Sequence, residues 1–247
     1  MLPNDIFIYR NKVTTMENVI GHGSPYRKIQ EQQEQWVGQW LDTYFYPYVS
    51  GMFSRNIDTE TQKRGVDVYL TGNTKAISID EKAGVAWCNS NLNKYSLELS
   101  ILTIDEFNRK HEINGWYLSD SLSTHMALVF INSAQTYNER YLASSAITDA
   151  TVVVIDKKKF QEKLDIIGWT KQNLKAKSDQ IRNAWNVYGK DYKYHVSLGT
   201  LNNNDIHFYL QETQKEEGIC MQFAKHFLID VSDFTYRITD GKMERLK

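Results

Sequence analysis

Cysteine is scarce in this 247-residue chain. Only Cys88 and Cys220 occur, far apart and without a Cys-x-x-Cys partner, so neither a disulfide framework nor a thiolate zinc site is indicated. Both are expected to be reduced and partly buried. Three prolines are too few for a collagen-like or proline-rich disordered chain. No apolar run, including the one ending in Ile155, approaches the roughly 20 residues that span a bilayer. The first residues, Met1 to Arg10, lack the basic start, apolar stretch and small-residue cleavage site of a signal peptide. The expectation is an intracellular, cytoplasmic protein without a membrane segment. Net charge is lacking too: 29 Lys and Arg stand against 30 Asp and Glu, a formal balance of -1. Contact with nucleic acid would therefore be local and not through bulk charge. His-Glu-x-x-His, the phosphate-cradling Gly-x-x-x-x-Gly-Lys-Ser/Thr loop and the Gly-x-Ser-x-Gly elbow are all missing, which disfavours a zinc protease, a P-loop ATPase and a serine hydrolase.

What remains is ordinary globular composition, 41% hydrophobic, 13% aromatic and 24% charged, in a chain long enough for one domain with a substantial core. No internal repeat or low-complexity segment marks a boundary. From Tyr26 to Tyr48, residues Trp36, Val37, Trp40, Leu41, Tyr44, Phe45 and Tyr48 recur at intervals of three and four, which predicts an amphipathic helix ended by Pro47 and Gly51. After a polar segment, Ser54 to Arg64, the two-residue period of Val66, Val68 and Leu70 predicts a strand, and Thr71-Gly72-Asn73-Thr74 a turn. Strands over Ala76–Lys82 and Tyr95–Ile101 follow, and the three together suggest a meander. Thr124–Ile131 and Thr151–Ile155 read as buried strands, the second leading through Asp156 as a cap into a basic helix ending near Leu164. Lys171–Tyr188 has helical spacing, and Ile206–Leu210 with Ile219–Phe227 resembles a hairpin.

The stretch that carries chemistry is Gly65-Val66-Asp67 followed by Ile79-Asp80-Glu81-Lys82. In a strand, residues two apart share a face, so Asp80 and Lys82 project together while Glu81 goes with Ile77 and Ile79. If Val66, Val68 and Leu70 pair on the apolar face with Ile77 and Ile79, then Asp67 lies on the face of Ser78, Asp80 and Lys82. Two carboxylates at cross-strand distance, roughly 5–8 Å at Cβ, can share a divalent cation, and hard oxygen ligands suit Mg²⁺. Such an ion polarises a phosphate and lowers the pKa of a bound water, while a lysine beside it orients that water or offsets developing charge. Glu98 alternates against Leu97 and Leu99 on the third expected strand and would share the polar face in a suitable register; an exposed strand glutamate is the alternative. Glu34 lies one turn before Val37 and Leu41, on the expected inward side of the first helix, with Glu31 as its alternate.

Asp67 with Asp80-x-Lys82 resembles the signature of the PD-(D/E)XK nuclease superfamily of restriction enzymes, repair nucleases and phage exonucleases. The resemblance runs from the Tyr26–Tyr48 helix through the strands and extends to the helix after Asp156. Val66 stands where the superfamily's named proline would be, a position that varies widely within it. The triplet alone is weak, since Asp156-Lys157-Lys158, Asp191-Tyr192-Lys193 and Asp240-Gly241-Lys242 share it; only Asp80 has strand context and a partner acid. The resemblance implies an α/β fold with a restriction-endonuclease-like mixed β-sheet core flanked by helices, over about 26–168, and a C-terminal extension of about 169–247 with a helix and a β-hairpin, all in one domain. It implies a DNA-cleaving, metal-dependent endonuclease of restriction type, with Mg²⁺ (Mn²⁺ as substitute) on Asp67 and Asp80, Lys82 assisting, and Glu34 or Glu98 secondary. DNA is the implied partner, and a homodimer is compatible with it. The alternative is a catalytically inactive nucleic-acid-binding or assembly module on the same fold. Outside this set, Lys157, Lys158 and Lys159 begin a helix where phosphate could bind, although such a run is usually solvated surface. Lys171, Lys175, Lys177 and Arg182, interspersed with Trp169 and Trp185, form a candidate DNA-facing strip, with the tryptophans more in keeping with a core.

Overall fold

The computed structural model describes residues 25–50, 52–72, 76–85, 88–89, 93–104, 107, 109–134, 146–200, 206–212, 217–239 and 241–247. The expected first helix is present but interrupted: α1 (Pro25–Tyr44) stops at Phe45 and α2 (Tyr46–Val49) restarts. Pro47 is the cause, because it has no N–H to offer the Thr43 carbonyl and is tolerated only in a new first turn. The polar segment after it folds into strand β1 (Met52–Arg55) and the short helix α3 (Thr59–Lys63), whose first turn is capped by the Asp58 carboxylate accepting from Thr61 N. Strands β2 (Val68–Thr71) and β3 (Ala76–Ala83) form a hairpin with Val68 opposite Ile79 and Leu70 opposite Ile77, the register that side-chain parity requires.

Next come β4 (Lys94–Ile104), β5 (Lys110–Asn114), β6 (His125–Ser133) and β7 (Ile147–Asp156). Helices α4 (Lys157–Ile166) and α5 (Lys171–Tyr188) and a 3-10 turn over Gly189–Tyr194 follow. The chain then forms β8 (His207–Glu212), β9 (Glu217–Ala224), α6 (Lys225–Val231), β10 (Phe234–Thr239) and β11 (Lys242–Arg245). The strands make a seven-stranded sheet, β1-β2-β3-β6-β7-β10-β11, and a four-stranded sheet, β5-β4-β9-β8. Within the larger sheet β3 and β6 are parallel and the other pairs antiparallel, so the sheet is mixed and the class is α/β with flanking helices.

The expected meander does not form from those three strands: β2 and β3 pair as expected, but the third does not join them. Strand β1 pairs with β2 instead, whereas the Tyr95–Ile101 stretch leaves the sheet and pairs with β5 and β9. The burial patterns explain the exchange. Strand β6 is buried on both faces for most of its length, so it belongs in a sheet covered on both sides and takes the edge of β3. Strand β4 has Leu97 and Leu99 fully buried, and Leu97 pairs with Met221 of β9. One face of the large sheet packs Val68, Leu70, Ile79, Ala127, Val129, Val152 and Val154 against Val37, Trp40, Leu41, Phe45 and Tyr46 of α1 and α2. The other packs Met126, Leu128, Val153 and Ile155 against α4, α5, α6 and the smaller sheet, around Phe160. Asp80 and Lys82 stand beside Met126 and Leu128 in register, on this second, covered face. Both cysteines are free and buried.

Candidate active site

Asp67 continues β2 and lies across from Asp80. Its N–H donates to the Ile79 carbonyl at 2.8 Å, and its Oδ2 accepts from the Glu81 N–H at 2.7 Å. The turn before it depends on Gly65, which has φ +73°; a Cβ there would lie 2.9 Å from Ser121 Oγ and 3.0 Å from Asp80 Oδ2. A glycine is needed both for the left-handed backbone and for the space that the site occupies.

Asp80 is only 2% exposed and stands between two ammonium groups. Lys82 Nζ lies 2.6 Å from Oδ1, an ion pair that holds this buried oxygen. Lys157 Nζ donates to Oδ2 at 3.0 Å and also to Ser121 Oγ at 3.0 Å and Ser123 Oγ at 2.6 Å. The serines belong to the loop between β5 and β6, which docks on the Gly65 turn through Leu122 N to Arg64 O at 2.9 Å and Ser121 Oγ to the same carbonyl at 3.3 Å. Lys82 also lies 5.3 Å from the centre of the Trp116 ring, a cation–π distance.

Burial governs the electrostatics here. It pushes the Asp67 carboxyl up to about 6; the Lys82 charge opposes the shift, and the Asp80 and Glu81 charges add to it. The same burial disfavours the Lys82 ammonium, but Asp80 and Asp67 outweigh it and hold that pKa above the ordinary lysine value. Lys157 moves the other way: burial lowers its pKa, offset only in part by Asp80, with the Lys82 charge pushing further down. Two lysines on one carboxylate thus differ in how firmly they keep their protons.

The structure brings together Asp67, Asp80 and Lys82, and places Glu34 within electrostatic reach of Lys82 and of the buried Tyr95. Glu34 is exposed and not turned inward as the helical period suggested; Gln33 takes the buried position. The Glu31 side chain lies outside the described residues. Glu98, with β4 in the smaller sheet, lies opposite Cys220, and its charge acts on Tyr209, Cys220 and Tyr95, the last also within reach of the Asp80 and Glu34 charges. Of the Lys157–Lys159 run, Lys158 and Lys159 are the exposed lysines the pattern suggested, Lys159 pairing with Asp233 at 2.6 Å, while Lys157 is inside the site. Of the candidate DNA-facing strip on α5, Lys171 is exposed and Arg182 is not. Arg182 is buried against Glu112 and Glu217, Lys175 pairs with Asp179, and Lys177 lies over the Phe208 ring. Sequence reasoning missed Ser121, Ser123 and Trp116 entirely, and no local pattern singles them out.

Glu81 points to the opposite face, as parity requires. It accepts from Tyr46 Oη at 2.6 Å and from Arg55 Nη1 at 2.7 Å, while Arg55 grips Asp42 of α1 at 2.7 Å through both Nε and Nη2. This network ties α1 and α2 to the back of the site strand. A second group that could hold a metal is His125, Asp156 and Asp233, whose ligand atoms lie within 4.8 Å of one another. There the Asp156 Oδ1 caps α4, Asp233 binds Lys159, and His125 Nε2 is 3.3 Å from Asp233 Oδ2. These contacts pin β6, β7 and the start of β10 together. Among the described residues, no helix is long and apolar enough to cross a membrane. A groove of about 510 Å³ at Lys157, Ser121 and Ser123 carries charge of both signs in its lining, Lys158 and Lys171 as well as Asp120, Glu162 and Asp165. Comparison with protein-family models, with curated proteins and with solved structures finds no match for this chain.

Proposed function

We propose that the chain is a metal-dependent nuclease that hydrolyses DNA phosphodiester bonds, on a restriction-endonuclease-like core made of α1, β1–β3 and β6. The observation that supports this best is the pair of carboxylates set side by side on adjacent strands, Asp80 only 2% exposed and Asp67 desolvated enough to raise its pKa to about 6. Gathering two acids away from water carries an electrostatic cost that a bound cation would offset. The donor set fits Mg²⁺, with Mn²⁺ as substitute: two hard carboxylates on adjacent strands and no thiolate among them. Asp67 Oδ2 is held by the Glu81 N–H, which fixes the carboxylate in the plane of the hairpin.

When bound, the divalent ion would supply charge stabilisation at the phosphate and a water of lowered pKa. The chain's own residues do the rest. Lys82, its ammonium secured by Asp80 and Asp67, orients the attacking water and offsets charge on the phosphate oxygens. Trp116 covers Lys82 and limits its access to solvent. Arg55 and Tyr46 hold Glu81, and through it the strand that carries both reacting groups. Glu34, exposed on α1 and within electrostatic reach of Lys82, is the acid that α1 would offer to the site.

The test is incubation with supercoiled plasmid, linear genomic duplex and single-stranded DNA in Mg²⁺, Mn²⁺ or EDTA. Cuts that need the metal and disappear in Asp67→Asn support the proposal. DNA binding without cleavage of any substrate would favour the inactive binding module.

A further inference from the structure

Lys157 is the first residue of α4, directly after the Asp156 cap, and its N–H donates to the Thr124 carbonyl at 3.0 Å. Helical side chains lean toward the N-terminus, so this position sends the lysine back over the start of the helix and under the Ser121–Ser123 loop. There the ammonium is surrounded by Asp80 Oδ2, Ser121 Oγ and Ser123 Oγ at 2.6–3.0 Å, with its side chain 19% exposed. Three oxygens, one of them a carboxylate proposed to bind a cation, make a cation seat that this chain fills itself.

The charge count is informative. Asp67 and Asp80 contribute two negative charges, and Lys82 and Lys157 two positive ones. A divalent ion added to this set leaves a buried site with an excess of two positive charges, which is unfavourable at low dielectric. A phosphodiester in the adjoining groove removes one of them and gives the Lys157 ammonium a new partner.

Resting on the nuclease proposal above, we propose that Lys157 is a resident counter-ion, holding Asp80 Oδ2 when no divalent cation is bound and releasing it to the cation when a substrate phosphodiester takes up the ammonium. Ion and phosphate then bind with positive coupling, and the coupling is reciprocal. Lys157 is in this sense a positioning residue that makes the site hold its metal mainly when DNA is present.

The experiment is calorimetric titration of Mn²⁺ into the full chain, alone and with excess dimethyl phosphate as a phosphodiester that is not cut. In the parent, dimethyl phosphate tightens Mn²⁺ binding. In Lys157→Met, Mn²⁺ alone binds tighter by about tenfold or more, and dimethyl phosphate adds little; Lys157→Arg retains the parental behaviour. If Lys157→Met fails to fold, the Ser121→Ala/Ser123→Ala double variant removes the hydroxyls that seat the ammonium and shifts Mn²⁺ affinity in the same direction. Equal Mn²⁺ affinity in parent and variants overturns the counter-ion role and leaves the nuclease proposal standing. Absence of Mn²⁺ binding in parent and variants alike, with or without dimethyl phosphate, overturns both.

Discussion

Replacing Asp67 by Asn should stabilise the metal-free protein while abolishing cleavage. Burial holds the folded-state pKa of this carboxyl at about 6, against an ordinary value of 3.8. A raised carboxyl pKa means that the folded state binds the proton more tightly. The stability this supplies is complete below the unfolded pKa and is lost as pH rises through the folded one. Above about pH 6 the ionised group is a burden of up to roughly 3 kcal/mol, taking about 1.4 kcal/mol per pKa unit. Asn keeps an acceptor for the Glu81 N–H and removes the charge that burial penalises. Partial solvation trims the gain to about 2 kcal/mol, which for a chain of this length raises the melting temperature by about 5 °C. Thermal melts followed by circular dichroism in EDTA at about pH 8 and about pH 3 provide the assay: the gain should be present at the higher pH and nearly absent at the lower, which lies below the unfolded pKa. A variant that melts below the parent at pH 8, or a gap independent of pH, would refute the reasoning.

Asp80→Asn should do the opposite and lower stability by roughly 3–5 kcal/mol, since it strips two partly buried ammoniums of their shared partner; urea unfolding midpoints for the two Asn variants should fall on either side of the parent. Gly65→Ala forces a left-handed backbone on alanine, costing about 1–2 kcal/mol, and drives its methyl toward Ser121 and Asp80, so cleavage should fall more than stability; an active, well-folded variant would count against the close packing described. Arg55→Met leaves Glu81 and Asp42 without their cation and should cost roughly 3 kcal/mol in denaturant titrations. Phe160→Ala empties the centre of the larger core at a cost of about 3–5 kcal/mol, with no change expected in the pH dependence of any residual activity.

The hairpin bearing Asp67, Asp80 and Lys82 was legible in the sequence because strand parity is local: once Val68 and Ile79 are placed inward, their neighbours have no other face to occupy. The helices of residues 157–166 and 171–188 were legible for a similar reason, with Asp156 and Thr170 as caps. The partners of β3 were not. Whether β1, β4 or β6 completes the sheet depends on which strand can be covered on both faces, a property of pairings far apart in the chain. Glu98 rides on the strand that moved, and so stands in the smaller sheet opposite Cys220 and not in the sheet of Asp80. Lys157 was hidden for a different reason. In sequence it is one of three consecutive lysines, and only the cap at Asp156 and the loop of residues 116–124 folding over it turn one member of the run inward. Arg182 reads as surface charge and is buried by two glutamates from the smaller sheet.

The central claim is that Asp67 and Asp80 together form a cation site. Crystals soaked in Mn²⁺ and measured at its absorption edge test it most directly. An anomalous peak between the two carboxylates, at about 2.1 Å from their oxygens, is expected, with Lys157 displaced from Asp80 Oδ2 when dimethyl phosphate is also present. A peak at His125, Asp156 and Asp233 instead, or none between Asp67 and Asp80 at saturating Mn²⁺, would contradict it.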